Sequence, residues 1–134
     1  MITALYASLA ALLIVKLSLA VIALRRKHKV RLGDGGVEEL QTAIRIQANA
    51  IEYIPITLLL ILLLEMANVS LWIIHLAGIT LLIGRLIHAA GLKHQDVKKR
   101  VLGMKMTLFL IIVLAVLNIV YLGMGYFSVW LSAQ

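Results

Sequence analysis

RIQANAIEYIPITLLLILLLEM, from Arg45 to Met66, decides how this chain folds. It is long enough to cross a bilayer as one helix, since about 20 predominantly apolar residues span the hydrocarbon. Its opening turns nevertheless carry an arginine, an asparagine, a glutamate and a proline. A charged side chain near the bilayer centre costs roughly 2.5 to 3.5 kcal/mol on insertion scales, so such residues usually face a protein interior. Arg45, Asn49 and Glu52 follow an i, i+4, i+7 spacing, which stacks them on one helix face. The segment therefore predicts a polar site inside a membrane bundle.

The rest of the chain agrees. Apolar residues make up 63% of the 134 positions and mean hydropathy is +1.04, far above the roughly 45 to 50% apolar content of soluble domains. The fold class read from this is all-α integral membrane, a bundle of four transmembrane helices. The spans run over about residues 2–24, 44–66, 71–92 and 102–126 of a single domain covering 1–134. With no cysteine in the chain, disulfides, thiolate metal sites and cysteine nucleophiles are excluded.

Net charge is +7, and its placement is ordered. Arg25, Arg26, Lys27, Lys29 and Arg31 follow the first apolar run; Lys93, Lys98, Lys99, Arg100 and Lys105 lie between the third and fourth. These clusters contain ten of the thirteen lysines and arginines, whereas the short connection near Asn68 and Ser70 has none. By the positive-inside rule both basic connections face the cytoplasm and both termini lie outside it. Topology accounts for the basic excess, and no nucleic-acid module surrounds it, so nucleic acid is not an expected partner.

Along the chain, Ile2 to Leu24 reads as a retained span rather than a cleaved signal, with Lys16 packing on a neighbour or snorkelling. Gly33-Asp34-Gly35-Gly36 predicts a turn. A helix beginning near Val37, with Glu38 and Glu39 in its first turn, continues to about Met66, and Pro55 predicts a kink.

In the third helix Arg85 and His88 share a face near the basic end, at the depth of Arg45 to Glu52. An ion pair between Glu52 and Arg85 is the expected arrangement, because an unpaired buried charge costs several kcal/mol. His28, His75 and His94 show no partner spacing and read as interfacial or loop residues. No combination of histidines and carboxylates has metal-ligand spacing, so no metal is expected.

Four segments carry a family resemblance: VIALRRKHKV (Val21 to Val30), RIQANAIEYIP (Arg45 to Pro55), GRLIH (Gly84 to His88) and KKRVLGMKMT (Lys98 to Thr107). In order and spacing they resemble the MAPEG family, the membrane-associated proteins of eicosanoid and glutathione metabolism. The second segment looks most like that of its leukotriene C synthase and microsomal glutathione transferase branches, with the pattern Arg-x-Gln-x-Asn-x-x-Glu-Tyr-x-Pro met at each fixed position. The resemblance implies a bacterial-type, inner-membrane homotrimer that binds glutathione as co-substrate between protomers near the cytoplasmic face. It also implies roles for residues. Arg25 and Arg45 hold glutathione carboxylates, a task suited to the paired donors of guanidinium. Gln47, Asn49, Glu52 and Tyr53 bind the peptide, and Arg85 and His88 complete the site. Arg100 stands beside the thiol and favours its thiolate, with Lys105 a weaker candidate for the same task. Two departures concern the second substrate: His88 and Leu92 stand where eicosanoid synthases often have tyrosine.

Three functions follow from these features. The leading one is a glutathione-dependent transferase or peroxidase acting on an apolar electrophile dissolved in membrane lipid. The alternatives are a non-catalytic lipid- or glutathione-binding scaffold and a small proton-coupled exporter. The arginines around Glu52 count against the exporter, because they would repel a cationic substrate.

Overall fold

The computed structural model describes residues 1–132, apart from the side chains of 126–129 and 131–132. The last two positions, where the topology reading puts the second outward-facing terminus, lie outside the described residues. Four helices account for nearly all of the described chain: α1 (Ile2–His28), α2 (Glu38–Met66), α3 (Leu71–Lys93) and α4 (Val97–Ser132). Each is long and apolar enough to cross a membrane. The all-α membrane bundle expected from composition is what forms.

α2 and α3 are the centre of the bundle, each packing against the three other helices, while among the described residues the backbones of α1 and α4 do not approach each other closely. Ala50, Ile54, Ile61, Leu64, Ile74, Ala77, Leu81, Leu110 and Leu114 make a continuous apolar core. Large apolar side chains such as Leu12, Leu76, Phe109 and Ile119 point outward, where lipid tails solvate them. Because lipid is as apolar as leucine, helix association depends instead on close packing and polar cross-links. Asn118 is one such link, its Nδ2 donating to the Leu60 carbonyl of α2 at 3.1 Å.

The helices outrun the predicted spans at the basic end, for local reasons. α1 ends with Lys29 in the left-handed region at φ 54°, where Val30 N–H donates to Arg25 O at 3.0 Å and Lys29 N–H to Arg26 O at 3.3 Å. This double bond satisfies carbonyls that the helix end would otherwise orphan. The same closure recurs at Asn68 after α2 and at Gln95 after α3. The glycine-rich turn thus follows the end of α1 without causing it. Gly33, Gly35 and Gly36 all take positive φ, and the Asp34 carboxylate accepts from Gly36 N–H at 3.0 Å. α4 starts five residues before its predicted span because Asp96 caps it, accepting from Lys99 N–H at 3.2 Å. That bond also holds the Asp96 carboxyl below its usual pKa. α2 continues through Pro55 as one helix, so the proline does not end it.

At the end opposite the basic loops, α1 is clamped. The Glu65 carboxylate accepts from the N–H groups of Ile2 and of Thr3, the latter at 2.8 Å, which supplies acceptors to two of the free donors at a helix start. The Tyr6 ring lies so close to Gly78 that any Cβ there would collide with it. Tyr6 Oη is 2.8 Å from His75 Nδ1. His75 therefore has a partner that spacing along the sequence did not reveal, since Tyr6 lies sixty-nine positions away on another helix.

Candidate functional site in the polar half of the bundle

Three glycines bring α3 and α4 unusually close at the basic end. A Cβ on Gly91 would run into the backbone N of Arg100, and one on Gly103 would lie 2.5 Å from His88 N and 2.6 Å from Gly84 O. Gly84 in turn faces Thr107. Only backbones without side chains at these positions allow the approach, which is the small-residue packing common to membrane helices. It sets Arg85 and His88 of α3 directly against the start of α4.

Arg85 is 3% exposed and fully engaged. Its Nη1 donates to Asn49 Oδ1 at 2.6 Å. Nε and Nη2 donate to Thr107 Oγ1 at 3.1 and 2.6 Å, and Nη2 also reaches Gly103 O at 3.4 Å. The Thr107 hydroxyl itself donates to Gly103 O at 3.0 Å. The Tyr53 ring centroid lies 5.4 Å from the guanidinium carbon, close enough for a cation–π contact. The cation is thus held by neutral dipoles and a ring face, and among the described residues no carboxylate pairs with it.

The expected Glu52–Arg85 ion pair is therefore corrected. Glu52 is exposed on the outer side of α2, as is Arg45, and Arg85 turns to α4 instead. The reason lies in the helix wheel. Asn49 and Glu52 project about 60° apart around α2, so the Asn49 amide meets Arg85 of α3 while Glu52 stays exposed. Sequence reasoning missed Thr107 and Gly103 as the groups that hold Arg85. The only sign of them was their presence in the quoted KKRVLGMKMT segment, because contacts between separate helices have no spacing signature.

His88 is 5% exposed, with Nδ1 3.0 Å from the Arg100 carbonyl oxygen. A carbonyl can only accept, so Nδ1 carries the proton and donates. His88 thereby fastens the first turn of α4 to α3. Arg100 sits in that turn with an exposed side chain, so it belongs to a helix rather than to a loop. A void of about 10 Å³ adjoins Asn49, Arg85 and His88, about the space one water requires.

The remaining predicted residues lie on the α1 side of α2. Gln47 Nε2 donates to Ser18 Oγ at 2.7 Å, and Arg25 Nη1 donates to the Gly33 carbonyl at 2.8 Å. On a helix of 3.6 residues per turn, Gln47 and Asn49 project about 200° apart. One protomer therefore gathers Asn49, Tyr53, Arg85 and His88 beside Arg100, but does not bring Arg25 and Gln47 to them. Arg45 and Glu52 occupy the outer face between the two groups. Lys105 and Lys16 are exposed.

Fold and site together define a four-span membrane protein with a buried arginine-centred polar cluster near its basic end. The MAPEG family profile matches residues 3–120. The chain is also 45% identical over 122 residues to the inner membrane protein YecN of Escherichia coli K12, covering 91% of this chain and 93% of that protein. The YecN of Escherichia coli O6:H1 strain CFT073 gives the same figures. The chain belongs to the MAPEG family, and its four apolar helices and this inner-membrane relative make it a multi-pass inner membrane protein.

Proposed function

We propose that this protein is a glutathione-dependent transferase or peroxidase that acts on an apolar electrophile taken from the membrane, and that it works as a homotrimer. The observation that carries the reading is the set of exposed charges Arg45, Glu52 and Arg100 around a buried polar cluster of Asn49, Tyr53, Arg85 and His88. Charges on a membrane helix are costly until they are paired, and glutathione supplies two carboxylates, an ammonium and a thiol. Arg45 and Arg25 suit its carboxylates, Glu52 its ammonium, and Gln47, Asn49 and Tyr53 its peptide groups. The thiol is the reacting group that glutathione contributes. Arg100 holds negative charge on that sulfur, and helix faces of α1 and α4 line the apolar substrate's cleft. Isothermal titration of purified protein tests the reading: saturable binding of glutathione, weakened by Glu52→Ala and Asn49→Ala, is the expected result. Absence of binding sinks it, and binding without conjugation of any electrophile makes the chain a scaffold.

The trimer reading rests on the split of the site. Contact across the outer face of α2 would join the Asn49–Arg85 side of one protomer to the Arg25–Gln47 side of its neighbour, and would give Arg45 and Glu52 protein partners. The chain carries seven lysines, so a bifunctional amine-reactive reagent can join each protomer to two neighbours in membranes. A ladder ending at three chains is expected, and uncrosslinked monomer alone counts against the assembly.

The positive-inside rule further places both termini outside the cytoplasm. An alkaline phosphatase fusion after the last helix is expected to be active, and activity only of a cytoplasmic reporter would reverse the topology.

A further inference from the structure

We propose that a groove between α1 and α3 is a binding site for one anionic phospholipid of the leaflet beside the basic loops, distinct from the glutathione site and independent of it. α1 is clamped to α3 at the far end by Tyr6 on Gly78 and to α2 by Glu65. Toward the basic end α1 is tied to α2, by Gln47 to Ser18 at 2.7 Å and by Lys27 to Glu39 at 3.1 Å, but among the described residues no hydrogen bond or ion pair ties it to α3 there, and alanines at positions 20, 43 and 89 leave space between the helices. The result is a groove of about 830 Å³, within the roughly 300 to 1,000 Å³ typical of small-molecule sites.

Its length points to the occupant. The α1 wall runs from Leu13 to Leu24, eleven steps of 1.5 Å or about 16 Å, which is half of a roughly 30 Å hydrocarbon core. That is the depth of one acyl layer. Leu13, Leu17, Ile46, Leu86 and Ala89 make the walls of the deep part apolar except at Lys16. An extended hydrocarbon chain fits this shape, whereas a folded peptide ligand has no polar group but Lys16 to meet there.

Charge at the mouth selects the headgroup. Glu38, Glu39, Lys93, His94 and Gln95 surround it, with Lys16 lower on the α1 lip. One of the two acids is neutralised: Glu39 is paired with Lys27 at 3.1 Å and lies 3.5 Å from His28, whereas Glu38 accepts from the neutral Gln95 amide at 3.0 Å and keeps its charge. Among the described residues neither Lys16 nor Lys93 has a carboxylate partner. The mouth therefore holds two lysine cations against one carboxylate that no cation pairs, a positive excess that the basic residues of both adjoining connections increase, with Lys93 facing the headgroup layer. A phosphate with net negative charge complements them, and a zwitterionic headgroup does so less well. Leu13, Leu17, Ile46 and Ala89 also border the small void beside Arg85, so an apolar wall separates the lipid chain from the polar cluster.

The test uses the full chain in nanodiscs of equal phosphatidylcholine and phosphatidylglycerol, with a trace of either lipid bearing a photoactivatable diazirine in its acyl chain. Crosslinked residues are mapped by mass spectrometry. Photoactive phosphatidylglycerol is expected to label residues 13–24 of α1 and 86–92 of α3 preferentially. The double variant Lys16→Gln, Lys93→Gln should reduce that labelling about thirtyfold, the size expected for losing two lysine contacts with an anionic lipid. Its labelling by phosphatidylcholine should not change. Ala89→Phe, which fills the groove, should remove the label from both walls; circular dichroism checks that each variant is folded. Equal labelling of outward residues such as Leu12, Phe109 and Ile119 would reduce the groove to ordinary lipid-facing surface and overturn the site. Equal labelling by the two lipids would overturn the headgroup assignment. Disulfide formation between protomers carrying Ala20→Cys would show that a second copy covers the groove and no lipid occupies it.

Discussion

Arg100→Ala is expected to cut the rate of glutathione conjugation by up to about a hundredfold while changing glutathione affinity little. The Arg100 side chain is exposed at the start of α4 and donates to nothing that holds the bundle together. Its contribution to the fold comes through its backbone, which the substitution keeps: the carbonyl accepts from His88 and the amide approaches Gly91. The guanidinium is thus free to act on charge that develops at sulfur. A cation that lowers a thiol pKa by about two units stabilises the thiolate by roughly 2.7 kcal/mol and raises its fraction near neutral pH by up to about a hundredfold. An interaction of this kind affects turnover more than binding, because the charge it stabilises is absent from the bound thiol. Thiolate absorbance and conjugation rate, measured on the same variant, decide the matter. If Arg100→Ala forms thiolate and turns over like the parent, Arg100 is a topogenic charge and not a catalytic residue.

Gly103→Ala should be among the most damaging single-carbon changes in the chain. The added Cβ would meet His88 N at 2.5 Å, Gly84 O at 2.6 Å and His88 Cα at 2.8 Å. These are backbone atoms of a helix, so no side-chain rotation relieves the clash and α3 must move away from α4. The movement would weaken the His88–Arg100 bond and the contacts of Arg85 with Thr107 and Gly103. Overpacking typically costs about 1 to 3 kcal/mol, and stretching the bonds around a buried cation adds to it. Gly123→Ala is the matched control, since a Cβ there meets nothing within 4 Å and alanine favours helix over glycine by about 0.5 to 1 kcal/mol. Thermal unfolding in detergent should show a clear fall in Tm for Gly103→Ala and an unchanged or raised Tm for Gly123→Ala. Equal melting of Gly103→Ala and the parent would mean that the close approach of α3 and α4 is not what stabilises this half of the bundle.

The sequence alone determined the membrane class, the number of spans and the presence of a polar cluster near the basic end. These rest on one-dimensional quantities: run length against bilayer thickness, the partition of lysine and arginine among connections, and the shared face of Arg85 and His88, which Asn49 alone of the stacked Arg45, Asn49 and Glu52 joins. Four motifs in order carried the family. What spacing cannot encode is rotation of one helix against another. Whether Arg85 would meet Glu52 or Thr107 depends on how α2, α3 and α4 turn about their axes, and that is set by the close contact of Gly84, Gly91 and Gly103. Only the tertiary structure could therefore exchange the expected ion pair for a set of neutral dipoles and separate Arg25 and Gln47 from the cluster. It also joined Tyr6 to His75 across the bundle. Helix ends were the other tertiary and local decision. Lys29, Asn68 and Gln95 close their helices in a left-handed conformation stabilised by paired backbone bonds, a choice that no glycine at those positions announced.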